Sequence, residues 1–195
     1  MRNDHTNYVV HWTKGSSEEA FNALTSIAID EAIHAGTYGV KSGEPCVCFS
    51  EAPVESFHGG GQYFQPFGIR VSKRWLFSQG GRPVIYQPSH EYQLLEEQIR
   101  WKHVDYDLAG KAKRDYSWQR EWRIKLDELH LPVSEVTLLV PDKKYFDILK
   151  QRFADENYAR GLASCDPYGY GMYTPHYPTQ ADQYQLEYFN SAIKT

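Results

Sequence analysis

The spacing of hydrophobic and polar positions changes several times along this chain. Residues 8–13, Tyr-Val-Val-His-Trp-Thr, are β-branched and aromatic, which predicts an opening strand. Beyond Glu19 the apolar residues Phe21, Leu24, Ile27, Ala28 and Ala32 recur at helical spacing, so a helix with one inward face follows. Ser16 or Ser17 is placed to cap it, Glu18 and Glu19 suit the positive end of its dipole, and Gly36 is the expected terminator. Further strands are predicted at 45–51, 67–72, 82–87, 101–106, 121–126 and 136–140. Residues 73–77 read as a short helix and 91–99 as a helical turn or two. A final helix spans 145–153, capped by Asp142 after Pro141 stops the preceding strand. The three consecutive glycines at 59–61 make 56–62 a loop. Strands cluster after the first helix and strict βαβ alternation is absent. The expected class is therefore α+β, a mixed or antiparallel β core with flanking helices, rather than a doubly wound parallel sheet.

A length of 195 residues suits one domain with a real core, and 41% hydrophobic against 24% charged residues excludes wholesale disorder. A net charge of −4 argues against a generally basic nucleic-acid coat protein. After Gly161 the composition shifts: six tyrosines fall between Tyr168 and Tyr188, and neither Lys nor Arg occurs before Lys194. Residues 1–160 thus read as a single α+β domain of catalytic type. Residues 161–195 read as a Tyr-rich extension, either packed on it by its aromatics or partly disordered, or as an aromatic arm over a site or partner. No apolar run approaches the roughly 18 residues that cross a bilayer, and the N-terminus lacks a signal peptide's apolar segment. A cytoplasmic protein with no membrane partner is expected. Cys46, Cys48 and Cys165 fit a reduced compartment. Cys46 and Cys48 would share one sheet face as small buried hydrophobes, and no further Cys or His stands at metal-site spacing, so no metal is expected.

Charge distribution says more than the total. From Ser56 to His90 there is no Asp or Glu, yet Arg70, Lys73, Arg74 and Arg82 are present with the glycine loop. Backbone N–H groups at glycines and flanking cations suit an anionic ligand; alternatively these cations face solvent and pair with the acidic helices. The stretch matches neither a P-loop nor a dinucleotide-binding fingerprint. His11 and Thr13, two apart on a strand, would share a face and offer hydrogen bonds to a ribose or an amide. In the run 118–123, read as a strand, Gln119, Glu121 and Arg123 share one face and Trp118, Arg120 and Trp122 the other. A glutamate between arginines could bind a ribose hydroxyl or stabilise developing positive charge, or form a sheet-surface ion pair.

Three pieces together carry a resemblance: His11-x-Thr13 on the opening strand, the central YFQPFGIRVSK and GGRPVIY, and a glutamate in the late strand REWRI. Their order resembles that of the ADP-ribosyltransferase superfamily, in particular its DarT-like and PARP-like branches. The wider run CVCFSEAP to WQREWRI, within residues 8–140, is similar to bacterial abortive-infection proteins of the AbiGi-like or DUF2971-like groups, which bring no secure activity. The superfamily implies a split, twisted β core that binds NAD in a cleft. Carried over, His11 would hold the nicotinamide-side ribose with Thr13 beside it, Tyr63 or Phe64 would stack on nicotinamide, and Arg70 would bind a phosphate. Glu121 would be the catalytic glutamate, with Gln119-x-Glu121 at the spacing that many transferases carry.

The first functional reading is accordingly an NAD-dependent ADP-ribosyltransferase-like toxin or phage-defence effector. NAD would be its substrate, a nucleic acid or protein the acceptor, and an antitoxin or defence protein a further partner. A second reading is an abortive-infection nuclease with His11, Glu51 or Glu121 in acid–base roles. A third is a non-catalytic module that senses nucleotides or binds a partner. Under the first, His11, Thr13, Gln119 and Glu121 are expected to line one cleft.

Overall fold

The structure is a computed structural model, and it describes residues 6–52, 66–109, 113–163 and 179–189. Its opening strand β1 (Tyr8–Trp12) leads into α1 (Ser17–Asp30) through a reciprocal capping box. The Glu19 N–H donates to Ser16 Oγ at 3.3 Å, and the Ser16 N–H donates to the Glu19 carboxylate at 2.7 Å. The helix ends at Asp30, earlier than Gly36. Glu31 takes a left-handed φ of 55° and its N–H returns to the Ile27 carbonyl. That turn frees β2 (Ala32–His34) to pair with β9 (Glu128–His130), a ladder that the residue pattern did not signal.

The remaining elements are β3 (Cys46–Ser50), β4 (Gly68–Ser72), α2 (Lys73–Ser78), β5 (Arg82–Pro83), β6 (Ile85–Gln87), β7 (His103–Asp105), β8 (Glu121–Lys125), β10 (Val136–Val140), α3 (Lys143–Ala163) and β11 (Gln185–Tyr188). Seven strands form one sheet in the order β11-β10-β4-β1-β3-β8-β5. It is antiparallel throughout except at the edge, where β11 runs parallel to β10. The class is α+β with a mixed sheet.

Three expected elements differ in extent. The single strand at 82–87 is split, because Pro83 has no N–H to continue the ladder and Val84 donates instead to the Glu121 carbonyl at 3.0 Å. Thereafter β6 leaves the main sheet and pairs in parallel with β7. Trp101 belongs to a 3₁₀ turn (Glu97–Lys102), which shortens the strand expected at 101–106. Helix α3 runs to Ala163, across the expected domain boundary, and β11 places residues from beyond that boundary inside the sheet. Most tyrosines of the extension, Cys165 and the glycine loop lie outside the described residues.

Register assigns every strand residue to one of two faces. Val9 lies opposite Val71, His11 opposite Ile69, Val47 opposite Ile124 and Phe49 opposite Trp122. This face receives Ala20, Phe21, Leu24 and Ala28 of α1 and Leu149 and Phe153 of α3, all buried in one core. The other face is mixed. Val10 opposes Ser50 and Arg70, Ser50 opposes Glu121, and Cys48 opposes Arg123. Trp12, Val10 and Leu139 form a small apolar cluster there with Phe189. Among the described residues no helix is long and apolar enough to cross a membrane.

Gly68 sits where β4 passes beneath Val10 and Trp12. A Cβ there would lie 2.7 Å from Val10 Cγ1 and 2.9 Å from Trp12 Cε3. Gly68→Ala should therefore destabilise the chain by about 1–3 kcal/mol through overpacking. The melting temperature should fall by about 2–4 °C per kcal/mol; an unchanged value would show that the two side chains yield freely.

Candidate functional site

The chain enters β8 through a 3₁₀ turn (Ser117–Gln119) and Arg120, whose φ of 45° is left-handed. Strand alternation therefore begins at Glu121, and Gln119 is not its strand mate, contrary to the expected Gln-x-Glu pair. Gln119 contributes its backbone: its carbonyl accepts from Ser50 Oγ at 2.7 Å, from the Glu51 N–H at 3.2 Å and from the Ala52 N–H at 3.3 Å. The end of β3 is thus tied to the turn that delivers β8.

Arg123 is the centre of the mixed face. It is only 3% exposed, so its charge must be matched by partners. Nε donates to Glu121 Oε1 at 2.7 Å, Nη1 to the Trp101 and His103 carbonyls at 3.0 and 3.1 Å, and Nη2 to the Gly39 carbonyl at 3.1 Å. Burial works against this charge, but its surroundings, the Glu121 carboxylate foremost, hold the guanidinium above its ordinary pKa. Two neutral groups complete the surround. Tyr86 Oη accepts the Glu121 N–H at 2.9 Å, and burial pushes its phenol up to about 12. Burial, reinforced by Glu121, pushes the Cys48 thiol up to about 12 as well. Cys48 is therefore an un-ionised thiol beside the carboxylate rather than a nucleophile at neutral pH.

The residues singled out in the sequence do not converge. Because Val10 opposes Ser50 and Ser50 opposes Glu121, Glu121 shares a face with Val10, one residue out of phase with His11. His11 points to the helix-covered face, edge-on to Phe49 at 5.8 Å between centroids. Its Nδ1 donates to the Cys48 carbonyl at 2.8 Å, and burial lowers its pKa. Thr13 is buried, with its hydroxyl and its N–H both donating to the Phe67 carbonyl at 3.0 and 2.9 Å. The expected common cleft of His11, Thr13, Gln119 and Glu121 is therefore corrected: the sheet separates the first pair from Glu121.

Two cations of the acid-free stretch are paired with carboxylates from outside it. Arg70 Nη2 donates to Glu187 of β11 at 2.7 Å, with its guanidinium over the Tyr8 ring at 5.0 Å. Lys73 Nζ pairs with Glu51 at 2.9 Å, and the other Glu51 oxygen accepts Trp122 Nε1–H at 2.9 Å. Arg82 donates to the Phe77 and Gly81 carbonyls at 2.9 and 2.7 Å. Arg74 alone of the four is fully on the surface. Two of the four cations thus find counter-charges outside the stretch, Arg70 at Glu187 of β11 and Lys73 at Glu51 just past β3. The stacking candidates Tyr63 and Phe64 lie outside the described residues.

What residue reasoning missed is the company of Glu121: Tyr86, Cys48 and Ser50. Tyr86 stands in the quoted GGRPVIY, but nothing in that run marks its hydroxyl as a partner of β8. Among the described residues no group of three or more His, Cys, Asp and Glu is placed to hold a metal. A surface groove of about 510 Å³ lies on the side of α2, lined by Trp75, Val133, Glu31 and His130, and none of the Glu121 surround lines it.

Arg123→Met should destabilise the chain by about 3–5 kcal/mol, the usual cost of leaving one member of a buried pair alone. In that background Glu121→Gln should cost less than it does in the native chain, because the two residues are coupled. Thermal unfolding of the four combinations measures this, and strict additivity would contradict the pair.

No protein-family model matches this chain, and no curated protein or solved structure matches it either.

Proposed function

We propose that the chain is an NAD-dependent ADP-ribosyltransferase-like effector of the toxin or phage-defence kind, with Glu121 as its catalytic carboxylate. The observation that carries this reading is the state of that side chain. It stands on the mixed face, 13% exposed, with Oε1 fixed by Arg123 at 2.7 Å. Ser50 is directly across the ladder and the Tyr86 hydroxyl is on its own N–H. In ADP-ribosyl transfer the bond from ribose C1′ to nicotinamide breaks and nicotinamide leaves with the electron pair. Positive charge develops on the ribose. The acceptor, a nucleic-acid base or a protein side chain, then forms the new bond at C1′ and loses its proton. A carboxylate that is already oriented stabilises that charge without having to reorganise. The order of elements supports the reading: an opening strand, a helix, and a late glutamate on a strand separated from the first by β3 alone. His11 has no place in it, since its ring lies on the other face of the sheet.

Glu121→Gln preserves shape and removes charge. Nicotinamide release from NAD, per folded molecule, should fall by about 10²–10³-fold, the scale of losing one preorganised electrostatic group. NAD affinity should change far less, because the ground state does not require that charge. Undiminished turnover would remove Glu121 from catalysis. A lowered melting temperature with turnover intact would make it only the partner of Arg123.

A further inference from the structure

His103 opens β7, and its side chain is fully buried at 0% exposure. Neither ring nitrogen completes a hydrogen bond of good geometry. The nearest carboxylate oxygen, Asp105 Oδ1 on its own strand, is 3.8 Å from Nδ1. That carboxylate already serves two cations: Lys41 from the segment before β3 at 3.5 Å, and Arg114 at 3.2 Å. From β8, Arg123 donates to the His103 carbonyl at 3.1 Å. From the 3₁₀ turn Ser89–Leu94, the Tyr92 ring meets the imidazole edge-on at 5.2 Å, with Lys41 and Arg100 over that same ring at 4.9 and 5.4 Å. A proton added to His103 would thus enter a dry pocket whose one nearby carboxylate, Asp105, is shared with Lys41 and Arg114, and where the cations outnumber it.

We propose that His103 is the trigger of a pH-sensitive latch, whose protonation opens the β6–β7 ladder and loosens Arg123 and Tyr86 around Glu121. The connections are direct. Ile85 pairs with His103, Tyr86 with Val104 and Gln87 with Asp105. The same Tyr86 accepts the Glu121 N–H, and the same β7 carbonyl holds Arg123. Burial is the main cause that lowers the His103 pKa, with Lys41 and Arg123 adding to it and Asp105 and the Pro88 carbonyl opposing. The sign follows. The unfolded or opened imidazole, near its ordinary 6.5, binds a proton before the buried one does, so acid favours the open ladder. The latch is closed at neutral pH and loses stability as pH falls below that value. This inference concerns the fold around Glu121 and holds whatever reaction Glu121 serves.

The test uses the whole chain, from about pH 7.5 to about pH 5, the range in which a histidine changes charge. The His103 ring is followed by NMR, and hydrogen exchange, corrected for its intrinsic pH dependence, is followed at 85–87 and 103–105. The ring should titrate below its ordinary value, and exchange in the ladder should rise about tenfold for each unit of pH over which only the open form is protonated. Amides of β4 and β10 should stay protected. Lys41→Met removes one facing cation and frees Asp105, so the ring's titration should move up. His103→Gln should abolish the pH dependence of ladder exchange. Ladder exchange that does not change with pH, a rise shared equally by β4 and β10, or a titration that Lys41→Met leaves in place would each overturn the latch.

Discussion

One buried guanidinium decides how the mixed face of this sheet is built. Arg123 could not stay charged at 3% exposure without a full set of acceptors, and the chain supplies them from three separate places. Glu121 comes from its own strand, Gly39 from the segment that precedes β3, and Trp101 and His103 from the segment that leads into β7. Neither outer segment belongs to the main sheet. Arg123 is their common tether, and because it also fixes Glu121 Oε1, the same residue that closes the fold sets the orientation of the candidate carboxylate. Structure and proposed chemistry draw on one interaction here, which is why a stability measurement on Arg123 bears on the site as well.

The parity of strand pairing is the second constraint. Side chains alternate across a sheet, so one residue of register decides which groups can meet. Ser50 pairs with both Val10 and Glu121, and this places Glu121 with the Val10 face and sends His11 to the other side, against Phe49. The glutamate and the histidine are on strands separated by β3 alone, yet no single ligand bridges them through the sheet. The resemblance to ADP-ribosyltransferases supplied an order of elements. It could not supply the register, which depends on hydrogen bonds between residues far apart in sequence.

Much of the scaffold was legible because its signals are local. The Ser16 cap, the helical spacing of Phe21, Leu24 and Ala28, and the β-branched runs of β1, β4 and β10 each depend on near neighbours, and each element forms where it was expected, except that α1 stops at Asp30, short of Gly36. The short ladders were hidden for the opposite reason. Ala32–His34 and Glu128–His130 are three residues each, too brief to show alternation, and exist because they meet one another. Likewise β11 is a polar, Tyr-containing segment that becomes a strand because β10 offers an open edge. The partners of the acid-free stretch were hidden by the same limit. Arg70 and Lys73 find Glu187 and Glu51 only after folding. At the site, Glu121 was visible in the run REWRI, whereas Tyr86, Cys48 and Ser50 became its neighbours through pairing alone.

A crystal structure of the chain with a non-hydrolysable NAD analogue tests the central claim most directly. The account predicts the nicotinamide-side ribose on the mixed face, with a hydroxyl within about 2.6–3.2 Å of the Glu121 carboxylate, the reach of a hydrogen bond. It also predicts that Arg123 keeps its hold on Oε1 and that His11 keeps its bond to the Cys48 carbonyl. A ribose bound against His11 on the helix-covered face, or an analogue bound without touching Glu121, would contradict it.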